Sequence, residues 1–550
     1  MPQREVMIIG IDAATLDLVA PWVAEGRLPN LARFFERGAT GPLRTTLPTV
    51  SPAAWSTFAT GVNPGKHGVL EFYQLEARDY RPRFVNAARR RGETFWEIAA
   101  RQGVRGGVIN VPISFPPRPY DGFIVAGMLS PGVGRRMVEP PELLDELLAA
   151  SPDYMVDVDM LNAAKATPES FLEQALACTR ARARAAVGFY RKHRPPLFCT
   201  VFVTADRVCH YFWRYMEAAR SGRPLDEAER RLAEAIPAVY GAIDEAVGEL
   251  LDAAGEGVDV LILSDHGAGP YRMGLDLREG LRRAGLTAVR RTGPLGRLKR
   301  RVVMAFARNA PGWLKNRIKS LLPGAAGRAA AAVALSGIDF ARSRAYPSGL
   351  SQGIFINLKG RQPQGVVEPG EDYERACREV IAALEGLTDP ETGERVVAKV
   401  HRRDELWSGP CVERLPDLVV EQVDNLYSVQ SFTDDATGEV FFDLPEPRPG
   451  RLRHVAGHRR HGILLAMGPH VKHVPIEGAG IEDVPATVLA LLGCRAPADF
   501  DGRVLTEILT DDVEVPDRYD AADAEGEREE VFSDEDQAAL EDRLKGLGYM

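Results

Sequence analysis

The 550-residue chain contains 45% hydrophobic and 26% charged residues, the composition of an ordinary globular protein with about two to four domains. Its six cysteines form no C-x-x-C pair, which argues for free thiols in a reducing compartment rather than for a disulfide framework. No apolar run reaches the roughly 18 residues of a membrane-spanning helix, and the short run at residues 6–11 lacks the features of a signal peptide, so we expect a cytoplasmic protein.

The net charge of −9 is unevenly distributed along the chain. Residues 511–550 contain 15 acidic and four basic residues, whereas residues 281–330 contain 13 Lys or Arg and no Asp or Glu. Such a basic run is either a solvated helical face or a surface for an anionic partner, such as phospholipid or a phosphorylated substrate. We expect no specific binding of nucleic acid.

Short apolar runs alternate with helical patterns along the chain. We predict a helix at LPNLARFFERG (28–38), closed by Gly38. Buried strands are predicted at VMIIGID (6–12), GVIN (107–110), LFCTVFVTAD (197–206), VDVLILSDHG (258–267) and GILLAMGP (462–469). This alternation predicts an α/β fold with a mostly parallel central sheet and helices on both faces. In such sheets, ligands bind at the carboxyl ends of the strands.

The stretch TLPTVSPAAWSTFATGVNPGKHG (46–68) contains the candidate nucleophile. Ser51 before Pro52 fits a helix N-cap with proline at the first helical position, and the predicted helix ends at Gly61. A hydroxyl at a helix N-terminus faces unpaired N–H groups, where a phosphate also binds well. From this pattern alone, Ser51 is either a plain N-cap or a nucleophile that a divalent ion makes more acidic.

Polar side chains able to hold a metal follow several of the predicted strands. They are Asp12, Asp206, His210, Asp265, His266 and His458. Asp206 and His210 are four residues apart, so they share one face of a helical turn. Each residue alone also has a structural explanation, such as a helix cap for an aspartate, but their joint occurrence at strand ends favours a metal site. Carboxylate oxygens mixed with imidazole nitrogens suit zinc or manganese better than calcium.

Five motifs in a fixed order resemble a known family: GIDAAT, VSPAAWSTFATGVNPGKHG, ADRVCH, SDHGAGP and GHRRHGILLAMGP. They are similar to the type I phosphodiesterase and nucleotide pyrophosphatase branch of the alkaline phosphatase superfamily, over residues 6 to about 510. The resemblance implies an alkaline phosphatase-like catalytic domain and two-step phosphoryl transfer through a phosphoseryl intermediate.

The resemblance also implies a role for each candidate residue, with Ser51 as the nucleophile. One divalent ion is implied for the set Asp12, Ser51, Asp265 and His266. The other ion is implied for Asp206, His210 and His458, where His458 is favoured over His454 and His461. The expected cofactors are therefore two divalent metal ions, with zinc favoured over manganese.

One departure from the family pattern concerns the substrate. Nucleotide pyrophosphatases of this branch often have an asparagine downstream of the nucleophile that contacts a phosphoryl oxygen, whereas HGVLEFYQ in that region contains none. Asn110, in VINVP, is a candidate replacement. We expect a metal-dependent phosphohydrolase that acts on a small-molecule or lipid phosphoester, and a phosphodiesterase rather than a monoesterase.

Two other functions stay open at this point. The chain resembles other enzymes of the superfamily, such as a phosphomonoesterase, a phosphonate hydrolase or a mutase, and it is also compatible with a catalytically idle binding module. A sulfatase is disfavoured, because Ser51 is followed by Pro-Ala-Ala-Trp instead of x-Pro-x-Arg.

The expected organisation is a catalytic domain over residues 1–510 and an acidic tail over 511–550 that ends in a short helix. A basic helical insertion is expected at about 271–340, where apolar and basic residues alternate at helical spacing. We expect this insertion to form a cap over the active site, with contact to an anionic membrane as the second possibility.

Overall fold

The computed structural model describes residues 4–76, 79–158, 167–289, 337–348, 352–429, 438–444 and 452–520, together with residues 532, 533, 536 and 540. The strands within this part of the chain are β1 (Glu5–Ile11), β2 (Ala39–Arg44), β3 (Tyr73–Glu76), β4 (Arg81–Phe84), β5 (Gly106–Ile109), β6 (Gly122–Val125), β7 (Val138–Glu139), β8 (Leu197–Phe202), β9 (Val258–Leu263), β10 (Gly267–Pro270), β11 (Met273–Leu275), β12 (Ala345–Pro347), β13 (Gly353–Ile356), β14 (Val397–Arg402), β15 (Leu418–Gln422), β16 (Tyr427–Val429), β17 (Phe441–Phe442), β18 (Ala456–Arg459) and β19 (His461–Met467).

The helices within the same residues lie at Leu16–Ala24, Pro29–Arg37, Ser51–Thr60, Pro64–His67, Phe95–Arg101, Leu143–Ala150, Pro168–His193, Thr204–Arg220, Glu227–Ala233, Ala235–Ala254, Leu277–Arg283, Glu371–Glu385, Arg403–Leu406 and Asp483–Leu491. None of these helices combines the length and the apolar character needed to cross a bilayer.

An eight-stranded sheet with the order β2-β19-β9-β1-β8-β5-β6-β7 forms the centre of the fold. The pairs β9-β1, β1-β8, β8-β5 and β5-β6 are parallel. The strand β19, predicted from GILLAMGP, runs antiparallel to both β9 and β2. The prediction of a mostly parallel sheet is therefore confirmed, with antiparallel strands near its edges.

Two separate hydrophobic cores cover the two faces of this sheet. Because side chains alternate along a strand, Met7, Ile9 and Ile11 of β1 belong to one core, and Val6 and Ile8 belong to the other. A strand buried on both faces has a continuous apolar sequence, which is the pattern that VMIIGI displays. Such burial fixes β1 firmly and with it the position of the residue that follows.

Three local predictions differ from the observed structure. The strand predicted over residues 258–267 ends at Leu263, and Gly267 begins the separate strand β10. The strand predicted to extend to Asp206 ends at Phe202, and a helix begins at Thr204, so that Asp206 lies in the first helical turn. A carboxylate is favourable there because the helix N-terminus carries partial positive charge. Ser51 is the first residue of its helix and not the N-cap; the N-cap is Val50, and Gly61 ends the helix in the left-handed conformation with φ of 69°.

The region between β10 and β18 contains two further small sheets. Their orders are β16-β11-β17 and β12-β13-β15-β14, and they share a core that includes Leu275, Ile356 and Leu418. Residues 290–336 lie outside the described part of the chain, and they include most of the basic segment and of the predicted helical insertion. Of its residues that are described, Arg282 and Arg283 form ion pairs with Glu279.

The acidic tail is described only in part. Phe532 stacks on Phe115 with ring centroids 5.7 Å apart, and Asp536 forms an ion pair with Arg136. The predicted C-terminal helix lies mostly outside the described residues.

Gly10 allows a close approach between β1 and the helix Ser51–Thr60. A Cβ atom at this position would lie 2.6 Å from Cη2 of Trp55 and 2.8 Å from Cγ2 of Val201. We therefore expect Gly10→Ala to lower the free energy of unfolding by about 1–3 kcal/mol through overpacking. Urea denaturation measures this change. Gly241→Ala is the control, because a Cβ atom there would meet nothing within 4 Å beyond its chain neighbours and the backbone of its own helix. Wild-type stability of Gly10→Ala would contradict the close packing of Trp55.

Candidate active site

Three adjacent strands of the central sheet position the predicted side chains. Asp12 follows β1, Asp265 and His266 follow β9, and Asp206 lies in the helix that follows β8. Because β9, β1 and β8 are parallel neighbours, their carboxyl ends meet at one edge of the sheet. His210 lies one turn after Asp206, and Ser51 begins the neighbouring helix. The remaining residue, His458, is carried by β18, which pairs with β10.

The first group of side chains surrounds the hydroxyl of Ser51. Its Oγ lies 3.1 Å from Nε2 of His266, and that nitrogen lies 3.2 Å from Oδ2 of Asp265 and 3.8 Å from Oδ1 of Asp12. Each of the residues Asp12, Asp265 and His266 offers a ligand atom within 4.8 Å of the other two. All four residues are at most 1% exposed. The site is therefore buried, and its candidate ligand atoms are close enough together to bind one metal ion.

The second group adjoins the first. Oδ1 of Asp206 lies 3.1 Å from Nε2 of His210 and 3.5 Å from Nε2 of His458. The rings of His266 and His458 are stacked with centroids 3.7 Å apart. The residues Asp206, His266 and His458 offer ligand atoms within 4.8 Å of one another, so His266 stands between the two groups. All seven predicted ligands are therefore close together, while their division between two ions stays a prediction.

One oxygen of each carboxylate is fixed by a protein donor. The three contacts are Trp55 Nε1 to Asp12 Oδ2 (3.2 Å), Arg207 Nη1 to Asp206 Oδ2 (2.5 Å) and the Ala13 amide to Asp265 Oδ1 (3.3 Å). The other oxygens, Oδ1 of Asp12, Oδ1 of Asp206 and Oδ2 of Asp265, are buried and have no hydrogen-bond partner among the described residues. Burying an unpaired carboxylate oxygen is costly, and a cation removes that cost at all three positions. The donor set therefore fits divalent metal ions.

The three histidines of the cluster are oriented in the same way. The Nδ1 atoms lie within hydrogen-bond distance of backbone carbonyl oxygens, and the pairs are His210 with Ala456 (2.7 Å), His266 with Gly267 (3.1 Å) and His458 with Thr49 (2.9 Å). A carbonyl only accepts, so each Nδ1 carries a proton, and each Nε2 faces the cluster, where it can bind a cation when it is not protonated. Metal-binding histidines are held in this manner.

The buried carboxylates differ in their protonation. Burial, together with the neighbouring Asp265 and Asp206 carboxylates, raises the pKa of Asp12 well above its usual value. Burial, followed by the charge of Asp206, raises the pKa of Asp265 to about 7. Burial also disfavours the charged form of Asp206, but His210, His458 and Arg207 outweigh it and hold the pKa of this carboxyl well below its usual value. In the absence of cations, protons occupy the Asp12–Asp265 side of the cluster.

Asn110 directly follows β5, the neighbour of β8, and so lies at the same edge of the sheet as this cluster. The residue is fully buried in a left-handed conformation with φ of 63°, which asparagine tolerates better than most residues. Its Oδ1 accepts a hydrogen bond from the Tyr154 hydroxyl, and its Nδ2 is buried without a partner among the described residues. The carboxyl edge of the sheet thus holds a buried amide donor that has no partner among the described residues.

Sequence reasoning missed three residues of this site. Trp55 had an apolar pattern that indicated core packing, and Arg207 is simply the residue after Asp206. The sequence pattern favours His458 over His454, whose ring stacks on that of His210 with the two centroids 4.0 Å apart. Only the motif ADRVCH offered a signal, because a charged residue inside a buried helical turn needs a partner.

Comparisons with known proteins agree with this arrangement. A family model described as type I phosphodiesterase/nucleotide pyrophosphatase matches residues 6–464. Murine ectonucleotide pyrophosphatase/phosphodiesterase 5, solved as an inactive variant in complex with AMP, aligns over 92% of this chain and 100% of its own, with a TM-score of 0.50 and 11% identity. Phosphonoacetate hydrolase from Sinorhizobium meliloti 1021 in complex with phosphonoformate aligns over 90% and 96%, with a TM-score of 0.50 and 13% identity. No curated protein matches the sequence. The solved structures confirm the predicted α/β fold.

We predict that Asp206→Ala and Asp265→Ala each lose roughly one bound ion per chain, because each removes a carboxylate from a different group of ligands. Elemental analysis of protein loaded with Zn²⁺ or Mn²⁺ measures the number of ions. Asp259→Asn is the control, since Asp259 is equally buried but pairs with His470, outside the cluster. Two ions per chain in either alanine variant would contradict this grouping.

The stability of the metal-free protein should depend on pH. Folding raises the pKa values of Asp12 and Asp265, so the stabilising contribution of both carboxyl groups is complete below about pH 4. The contribution of Asp265 is lost as the pH rises through about 7, and that of Asp12 is lost as the pH rises through its own raised pKa. Metal binding requires ionised carboxylates and therefore gains strength over the same range. We expect Zn²⁺ to raise Tm more at about pH 8 than at about pH 5.5. Thermal unfolding with and without metal tests this, and an equal increase at both pH values would contradict it.

Proposed function

Because the chain belongs to the type I phosphodiesterase/nucleotide pyrophosphatase family, we propose that it is a two-metal phosphodiesterase with Ser51 as its nucleophile. The observation that carries the proposal is a buried cluster of possible metal ligands. It contains one hydroxyl, three imidazole Nε2 atoms and three carboxylates, each with one oxygen that has no hydrogen bond among the described residues. Bound divalent ions would make the Ser51 hydroxyl more acidic and polarise the phosphoryl group. The mixed oxygen and nitrogen donors favour zinc, with manganese as the second choice.

The position of Ser51 suits an attacking hydroxyl. Its Oγ points towards His266 and not back into the helix, where no side-chain cap bond forms. Burial, together with the neighbouring His458, keeps the pKa of His266 well below its usual value, so this imidazole is a weak proton acceptor. In the metal-free protein His266 therefore orients the hydroxyl by accepting its hydrogen bond, and a cation bound at Nε2 would replace this contact. Ionisation of Ser51 requires the cations for which the cluster is built.

The proposed reaction has two steps. Ser51 Oγ forms a bond to phosphorus while the bond from phosphorus to the leaving oxygen breaks, which gives a phosphoseryl intermediate and an alcohol. Water then attacks phosphorus and releases Ser51 and a phosphomonoester. The N-terminus of the helix Ser51–Thr60 directs free N–H groups and partial positive charge towards phosphoryl oxygens during both steps.

Asn110 is proposed to bind the substrate. Its amide orientation is set by Tyr154, which donates to Oδ1 and leaves Nδ2 as the free donor. A buried N–H without a partner gains most from a charged acceptor, and a phosphoryl oxygen is such an acceptor. This contact would take the place of the asparagine that is absent from HGVLEFYQ.

The proposed substrate class is a small-molecule or lipid phosphodiester. The two related structures bind AMP and phosphonoformate, which are compact phosphorus anions of the kind that a buried two-metal site accommodates. A reducing, cytoplasmic location is proposed as well, and it is supported by six buried cysteines that form no disulfide.

We predict that Ser51→Ala retains its bound metal but loses hydrolysis of bis-p-nitrophenyl phosphate by a factor of roughly 10³ or more. The wild-type enzyme should cleave this diester faster than p-nitrophenyl phosphate and should not cleave p-nitrophenyl sulfate. Ser56→Ala is the matched control, because Ser56 is a buried hydroxyl on the same helix that contacts none of the ligands in the described structure. Activity of Ser51→Ala within about tenfold of wild type would show that another group is the nucleophile.

A further inference from the structure

A fully buried arginine stands directly behind the metal-binding cluster. The side chain of Arg207 is 1% exposed, and a guanidinium in such a place requires compensating carboxylates. Its Nη1 donates to Oδ2 of Asp206 at 2.5 Å, and its Nη2 donates to Oδ2 of Asp157 at 2.9 Å. Nη2 also lies 2.8 Å from the sulfur of Met128. Arg207 is therefore held between a proposed metal ligand and a second carboxylate.

The contact with Asp206 decides which of its oxygens is available. Because Oδ2 is bonded to Arg207, only Oδ1 faces the Nε2 atoms of His210 and His458. A carboxylate that rotates freely presents either oxygen or both, whereas a carboxylate held in this way presents one oxygen in one direction.

The negative charge of Asp157 keeps this arrangement favourable for a cation. Without it, the guanidinium would cancel the charge of Asp206, and the pair would offer no net negative charge to the ion. With it, the three charged side chains sum to one negative charge, and Asp206 keeps its attraction for a cation. Asp157 is itself oriented, since its Oδ1 accepts from the amide of Val158 at 2.8 Å and leaves Oδ2 for Arg207.

We propose that Arg207, anchored by Asp157, is a positioning residue that makes Asp206 a one-oxygen ligand of the metal-binding cluster. The inference rests on the proposed function, because it assumes that the cluster binds metal. The proposal implies that metal affinity depends on two residues, Arg207 and Asp157, that do not contact the ion.

Residues 154–158 connect the positioning of Asp206 to Asn110, the proposed substrate-binding residue. Tyr154 holds Asn110, and Asp157 holds Arg207. The segment is fixed in turn by the buried Arg182, which donates to the carbonyls of Val156 and of Val201 in β8. Residues 154–158 thus orient both Asn110, the proposed hydrogen-bond donor to the phosphoryl group, and Asp206, the proposed metal ligand.

The test compares metal binding in Arg207→Met, Arg207→Lys and Asp157→Asn. Titration of the metal-free full-length proteins with Zn²⁺, followed by calorimetry, should show two ions in wild type. Arg207→Met should bind one of them roughly 10–100-fold more weakly and the other with unchanged affinity. Asp157→Asn should weaken the same ion by a smaller factor. Arg207→Lys should recover part of the loss, since lysine keeps the charge without the planar pair of donors.

Two controls separate positioning from folding. Arg361→Met removes another arginine that pairs with a buried aspartate, Asp417, in the region between β10 and β18. This variant should bind both ions as wild type does. In the double variant Asp157→Asn/Arg207→Met, the Asp157 change should add almost nothing to the effect of Arg207→Met, because Asp157 acts through Arg207. Circular dichroism checks that each variant is folded, and the milder Asp157→Asn and Arg207→Lys keep the test decisive if Arg207→Met does not fold.

Three results would overturn the proposal. Wild-type affinity for both ions in Asp157→Asn and in folded Arg207→Met would show that Asp206 needs no positioning. Equal loss of both ions, shared by Arg361→Met, would show a general effect of removing a buried arginine. A wild-type protein that binds no metal would overturn the proposed function itself, and this outcome differs from a two-ion wild type whose variants are unaffected.

Discussion

The main physical constraint on this structure is a group of three buried carboxylates, each of which has a hydrogen bond to only one of its two oxygens among the described residues. Asp12, Asp206 and Asp265 each place one oxygen on a protein donor, and the other oxygen has no hydrogen bond among the described residues. When these carboxyl groups ionise, their charges repel one another strongly, since a low local dielectric does not screen them. A fold that keeps this arrangement loses stability in the absence of cations. The loss is tolerable only because the rest of the domain is extensively packed.

That packing begins with β1 and extends to the orientation of Asp12. The strand is buried on both faces and lies between two parallel neighbours, so its carboxyl end has little freedom. Gly10 lets the ring of Trp55 lie against the strand, and the indole N–H then reaches Oδ2 of Asp12. The core residue Trp55 therefore also fixes the direction of the free carboxylate oxygen. Packing and ligand orientation are coupled here, and a change in one alters the other.

The sequence predicted those parts of the site that depend on local pattern. Apolar runs that end in Asp12 and in Asp265-His266 are visible without a structure, because a buried strand followed by a polar residue marks a sheet edge. The end of β8 was misplaced because Val203 continues the apolar run while the backbone has already turned into a helix. The orienting contacts could not be predicted. Trp55 and Asp12 are 43 residues apart, Arg207 and Asp157 are 50 apart, and such contacts follow from tertiary packing alone.

His266 gives the cluster a property that neither group of ligands has alone. Its Nε2 lies near Asp12, Asp265 and Ser51, and it also belongs to the group of Asp206 and His458. A cation beside either group therefore alters the electrostatic environment of the other through the same imidazole. Repulsion between two nearby cations opposes joint binding, and the three buried carboxylates are the charges that offset it. This requirement explains why each carboxylate keeps its second oxygen free.

The Ser-Pro pair at the start of the helix Ser51–Thr60 follows from the same requirement. A serine at the N-cap would direct its hydroxyl to the helix backbone and would stabilise the helix by about 1 kcal/mol. Here Val50 occupies the N-cap without a side-chain bond, and Ser51 stands one position later with its hydroxyl directed to His266. Pro52 lacks an N–H, so it leaves no backbone donor for a capping hydroxyl to satisfy at that position. The helix is held instead by its buried side chains, among them Trp55 and Phe58, which pack edge to face at 5.5 Å. Tertiary packing thus replaces the cap, and the hydroxyl is free to face the metal-binding cluster.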